Sequence, residues 1–181
     1  MNRDQLEHVL RAAADIIPEA DILVIGSQSI LASIDEQLLP IEATRSIEVD
    51  LAFFDDADEA KADRVDGAIG ELSLFHGTHG YYGQGVSLTT ATLPDGWADR
   101  LVEIEPPREG SRVRALEPND CVASKLVAWR QKDLQFAGAL LAKKLIERAV
   151  LESRIDALPE QVSTSRRTVI LNWLAEAVPK P

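Results

Sequence analysis

The chain has few of the residues that usually mark a cofactor or a covalent framework. A single cysteine, Cys121, leaves no partner for an intrachain disulfide and fits a reducing compartment, so a cytoplasmic protein is expected. Three histidines and that one cysteine argue against a structural zinc site. No apolar run approaches the roughly 20 residues of a membrane-spanning helix. The opening MNRDQLEHVL is charged and amphipathic and lacks the apolar region of a signal peptide. Positive charge is scarce: 19 Lys and Arg stand against 30 Asp and Glu, a net charge of −11. That balance speaks against broad, sequence-independent nucleic-acid binding, which rests on many Lys/Arg–phosphate contacts, and leaves room only for a local basic patch.

What is present suits a globular core: 181 residues, 45% of them hydrophobic, enough for one domain or one domain with a helical appendage. Apolar residues at i, i+3, i+4 and i+7 (Leu6, Val9, Leu10, Ala13) predict a helix over 3–17, ended by Pro18. DILVI (21–25) reads as a short buried strand, after which Ser27 is expected to cap a helix over 28–34. A loop holding Pro40 leads to SIEVDLAFF (46–54), a central strand, and then to a helix over 56–72. SLFHGTHGYYGQG reads as a turn or mobile loop, VSLTTATL (86–93) as a strand, PDGW as a tight turn, and 100–106 and 112–116 as two further strands. From Pro118 the period changes to 3.6. Helices are expected from an Asn119–Asp120 cap to about 131, over 133–147, over 150–158, and from Pro159 to about 177, the last with Val162, Val169, Leu171 and Trp173 as its apolar residues. The chain thus divides into an α/β part, 1–116, and a helical part, 117–181, packed on it.

The sharpest local feature lies within 23–51, LVIGSQSILASIDEQLLPIEATRSIEVDL. Glu48 and Asp50 stand at i, i+2 in a predicted strand, so both carboxylates point to one face. A divalent cation between them removes their mutual repulsion, and Mg²⁺ prefers a few hard oxygen ligands supplemented by phosphate oxygens. The Gly26–Ser27 turn at the end of the preceding strand offers backbone N–H groups and a hydroxyl to a phosphate. Arg45 adds a positive charge close by in sequence. Taken alone, an acid-x-acid pair in a strand is more often a solvated face.

These residues resemble the nucleotidyltransferase superfamily, which pairs a Gly-Ser or Gly-Gly turn with an acidic-x-acidic strand. Two later stretches narrow the resemblance to the DUF6036 group of nucleotidyltransferase-like proteins. One is Leu93-Pro94-Asp95-Gly96-Trp97 through Arg100-Leu101. The other, the more specific, is the helical pattern of Lys125, Leu126, Arg130, Lys132 and Asp133. The resemblance covers about 20–155. It implies an α/β (α+β) fold, with a small mixed sheet, flanking helices and a C-terminal helical part. The group is similar to the nucleotidyltransferase toxins of toxin–antitoxin pairs. It therefore also implies transfer of a nucleoside monophosphate from an NTP to an RNA acceptor such as tRNA, or to a protein, with an antitoxin as a further partner.

On that resemblance Glu48 and Asp50 hold Mg²⁺ or Mn²⁺, and Gly26, Ser27, Arg45, Lys125 and Arg130 bind the nucleotide. Lys125 and Arg130, at i, i+5, flank one site, and Asp133 orients them or an acceptor hydroxyl. The chain departs from the pattern in three places. Glu48 stands where Asp is usual. VSLTTATL lacks the third carboxylate that active members carry on a later strand, and Gln84 just before it is neutral. Gln135-Phe136 follows where related toxins often have a second Asp. A degenerate protein of the same fold, which binds a nucleotide or partner without turnover, therefore stands beside the enzyme reading, and a plain α/β interaction module is the third.

Other residues have structural explanations. His76 and His79 read as solvated loop residues, Trp97 and Arg100 as fixing a turn, Cys121 and Trp129 as buried among helices. The basic pairs Lys143–Lys144 and Arg166–Arg167 are either solvated helix faces or a dock for RNA.

Overall fold

A computed structural model describes residues 1–177. The first helix, α1 (Arg3–Ile16), forms where the heptad-like spacing predicts it. Asn2 and Gln5 close a reciprocal capping box at its start, and Leu6, Val9, Leu10 and Ala13 are buried along one stripe. Strand β1 (Asp21–Ile25) follows, then, after short turns, a one-turn helix α2 (Ile41–Thr44) and β2 (Glu48–Phe53). Next come α3 (Ala60–Ile69), α4 (Leu74–His79), β3 (Tyr82–Gly85), β4 (Val102–Ile104) and β5 (Arg112–Ala115). Four helices follow: α5 (Pro118–Ala128), α6 (Gln131–Ala142), α7 (Arg148–Asp156) and α8 (Thr164–Ala177).

The five strands make one mixed sheet in the order β3-β2-β1-β5-β4. β1 runs antiparallel to β2 and parallel to β5, β2 runs parallel to β3, and β4 returns antiparallel to β5. Val49 and Leu51 turn to the face covered by α1 and α3, where a Cβ on the neighbouring Gly83 would meet Val9, Leu51 and Ile69. Glu48 and Asp50 turn to the opposite face, toward the helical part. Buried apolar residues from Met1 to Leu174 form one continuous cluster.

The chain differs from its predicted course where backbone contacts override pattern. After Gly26 the segment Ser27–Ala32 is a 3₁₀ helix, and the Ser27 side chain makes no capping bond. The stretch 73–85 is ordered rather than a loop. Ser73 caps α4, and YGQG becomes a strand because glycine lets α3 close in, a Cβ on Gly85 falling within van der Waals radii of the Ala62 carbonyl. VSLTTATL is not a strand: after Val86 the Ser87 hydroxyl caps a 3₁₀ turn, Leu88–Thr90. Glu117, not Asn119 or Asp120, caps α5. Its carboxylate accepts from the N–H groups of Asn119 and Asp120 at 3.1 and 3.2 Å, with Pro118 in the first turn.

The last helix begins at Thr164, not at Pro159. The Arg167 guanidinium reaches back to the carbonyls of Ile155, Asp156, Leu158, Pro159 and Val162 and holds the intervening turn. Its buried residues are Ile170 and Leu174, whereas Val169 is exposed. Trp97 lies parallel to Phe54 at 6.2 Å, and Arg100 makes a two-pronged bond to Asp120 at 2.8 and 3.0 Å, so both fix the turn as expected. His76 accepts from the Leu72 N–H and leans on Tyr82, and His79 packs edge-on to His8, so neither is simply solvated.

Candidate functional site

Strand pairing brings the two halves of the motif together. Asp50 is the register partner of Ile25, so the turn that follows β1 lies directly against the Asp50 side chain. Gly26 has φ +70° and ψ −162°, a region open essentially to glycine, and a Cβ there would collide with Asp50 Oδ2. The Gly26 carbonyl accepts from Ser29 Oγ at 2.9 Å and from Cys121 Sγ at 3.0 Å, which ties the turn to α5. Cys121 is fully buried, and burial pushes its thiol above the ordinary range.

Glu48 and Asp50 thus face a cleft of about 290 Å³ whose walls include Gly26, Ser27, Lys125, Arg130 and Lys132. Burial, and then the charge of Glu48 beside it, raise Asp50 to about 7, against a smaller opposing pull from Lys125 and Lys132. Near neutral pH Asp50 is therefore close to half protonated, and a cation in the cleft would displace that proton. Tyr82 donates to Glu48 Oε2 at 3.4 Å, and its own phenol is pushed up to about 12 by burial and then by Glu48.

Three cations, Lys125, Arg130 and Lys132, line the same cleft as the acids. Lys125 Nζ lies 3.7 Å from Asp133 Oδ1, and Arg130 Nε donates to Asp133 Oδ2 at 2.7 Å. Asp133, 1% exposed, also accepts from the Arg130 backbone N–H. It sits behind the wall and does not line the cleft, so it positions Lys125 and Arg130 rather than touching what enters. The i, i+5 spacing of that pair would set them roughly 140° apart on an unbroken helix. They share a wall because α5 and α6 are separate helices meeting at a corner.

Arg45 is not brought to the site. It ends α2, a turn that packs toward α6, and its guanidinium donates to Gln135 Oε1 at 2.9 Å, outside the cleft. Of the residues that the resemblance assigns to nucleotide binding, Gly26, Ser27, Lys125 and Arg130 line the same cleft as Glu48 and Asp50. Reasoning from sequence left out Lys132, Ser46, Thr90, Thr92, Ser124 and Tyr82. Lys132 was visible in the helical signature; Tyr82 was hidden in a stretch whose glycines mimic a loop.

The position beside Asp50 on β3 is Gln84, whose amide donates to Asp66 Oδ1 at 2.5 Å. Among the described residues no group of three or more His, Cys, Asp and Glu side chains is placed to hold a metal. Glu48 and Asp50 still fit a single hard cation, because two carboxylates with the balance supplied by water and phosphate oxygens is a common Mg²⁺ arrangement. Roomier hollows lie elsewhere, of about 390 Å³ between α1 and β4 and about 570 Å³ below Phe54. In the latter, Asp55 is paired with Lys61, and Asp56 accepts from the N–H groups of Lys61 and Ala62.

Searches of curated proteins and of solved structures return no match to the chain. A family model described as a nucleotidyltransferase of unknown function matches residues 4–174, a span that contains every cleft residue named above. The chain accordingly belongs to the DUF6036 family of nucleotidyltransferases.

Proposed function

We propose that the protein transfers a nucleoside monophosphate from an NTP to an acceptor, with Mg²⁺ or Mn²⁺ held by Glu48 and Asp50. One observation carries this reading: two carboxylates of one strand face a glycine–serine turn and three cationic side chains across a single cleft. A cation bound there supplies neutralisation of triphosphate charge at the reacting phosphorus. The chain's own groups do the rest. The Gly26–Ser27 edge and the Lys125–Arg130–Lys132 wall seat the phosphates and offset the charge that builds on the leaving pyrophosphate. Asp133 keeps two of those cations in place, and Tyr82 restrains Glu48.

The acceptor belongs to the same proposal, as an RNA, tRNA included, or a protein side chain, and so do a toxin-like role and an antitoxin partner. These rest on the resemblance. The decisive experiment supplies Mg²⁺, each labelled NTP in turn, total RNA and total protein. Label in either acceptor together with pyrophosphate release, both lost in Asp50→Ala, is the expected result. NTP binding without label or pyrophosphate would instead support the second reading, a nucleotide-binding protein without turnover. Gln84 is the observation behind that reading, since the β3 position in register with Asp50 carries no carboxylate.

A further inference from the structure

The corner between α5 and α6 turns on one residue. Trp129 ends α5 with φ 60° and ψ 28°, in the left-handed region, and Arg130 resumes in extended backbone before α6. Helices commonly end this way, but on glycine or asparagine; for a bulky side chain the conformation is strained and persists only when its surroundings hold it. Here α8 supplies the hold. Trp173 meets the Trp129 ring edge-on at 6.4 Å, and the Arg166 guanidinium lies over the same ring at 5.6 Å.

The consequence reaches the cleft. Lys125 lies in the last turn of α5, Arg130 at the corner and Lys132 in the first turn of α6, and all three line one wall. If the backbone at Trp129 relaxed to the right-handed helical region, α5 would run on through Arg130. Lys125 and Arg130 would then diverge by roughly 140°, and Asp133 could no longer bond both.

We propose that Trp129 is a positioning residue for phosphate binding, its left-handed backbone held by α8 so that Lys125, Arg130 and Lys132 form one polyphosphate-binding wall. This rests on the cleft being a nucleotide site. Its test separates backbone from ring. Trp129→Ala and Trp129→Gly both remove the ring, but only glycine accepts the left-handed conformation without strain. Calorimetric titration of the full chain with inorganic tripolyphosphate should show Trp129→Ala binding about tenfold more weakly than wild type, with Trp129→Gly recovering to within about threefold. In thermal unfolding, Trp129→Gly should melt about 2–4 °C above Trp129→Ala, the reverse of their order inside a helix.

A merely structural ring would make glycine no better than alanine in either measurement, and that result overturns the proposal. So does wild-type binding by Trp129→Ala. If the wild-type chain binds neither tripolyphosphate nor any NTP, the nucleotide-site reading falls and takes this one with it. If wild type binds and the two variants do not differ, only the present proposal falls.

Discussion

Asp50 is held in an unfavourable state by its neighbours, and the sign of the effect is measurable. Burial and Glu48 raise it from 3.8 to about 7, so between those values the folded chain keeps a proton that the unfolded chain has released. Stability therefore falls as pH rises through that window, and above it the full penalty is present. A shift of that size corresponds to a penalty on the order of 4 kcal/mol, which solvent at the open cleft lowers. Asp50→Asn should therefore be more stable than wild type by ~1–2 kcal/mol at pH ~8 and indistinguishable at pH ~4, in urea unfolding without divalent ions. An Asn variant that is less stable at the higher pH contradicts the strained acid pair. On the proposed metal site the cation displaces that same proton, so the rise in wild-type melting temperature on adding Mg²⁺ should be larger at pH ~8 than at pH ~6.

Gly26 is the second residue on which the site depends. Alanine there meets both a backbone region it rarely adopts and the Asp50 carboxylate. Gly26→Ala should cost about 2–4 kcal/mol and abolish NTP binding, read by denaturant unfolding and by titration with ATP–Mg²⁺. A variant with wild-type stability would show that the turn can move away from β2.

At the scale of elements, the legible parts were those whose signal is local. The apolar stripe of α1, the alternation in β2 and the Gly-Ser turn each follow from a few neighbouring side chains, and all appear where the pattern puts them. The YGQG strand was not legible, because its glycines serve close approach by α3, a long-range fact that reads locally as a turn. The Glu117 cap was missed for a related reason. Asp120, the better capper by type, is engaged elsewhere, fully buried between Arg100 from the 3₁₀ turn Trp97–Arg100 and Arg154 from α7. That ion cluster joins three separate elements. Removing the acid leaves two partly buried guanidinium groups without their counter-charge, so Asp120→Ala should lose about 3 kcal/mol. Arg100→Ala, which leaves Asp120 still paired with Arg154, should lose less, and a double-mutant cycle would measure the coupling. Additive single effects would mean that the cluster is not a unit.

Over the whole molecule, charge decides what can approach the cleft. The sequence carries a net charge of −11, and three of the four residues in the basic pairs 143–144 and 166–167 are engaged within the fold. Lys143 donates to the Leu38 carbonyl, Arg166 lies over Trp129, and Arg167 is bound to backbone oxygens. Arg108 and Arg112 are paired with Asp15 and Glu103. The cations that remain gathered, Lys125, Arg130 and Lys132, stand inside the cleft facing acids, a scale that suits a triphosphate and not a length of nucleic-acid backbone. RNA, if it is the acceptor, must then be admitted through a short end and not through an extended basic surface. The chain should bind total RNA more weakly than the ~100 μM expected of weak non-specific binders at physiological salt. Lowering the salt should change that affinity with a slope of no more than about 2–3 phosphate contacts. A filter-binding series in NaCl checks both. Micromolar affinity with a steep salt dependence would reveal a polyanion surface that the occupied arginines do not provide, and would place the acceptor's recognition outside the cleft.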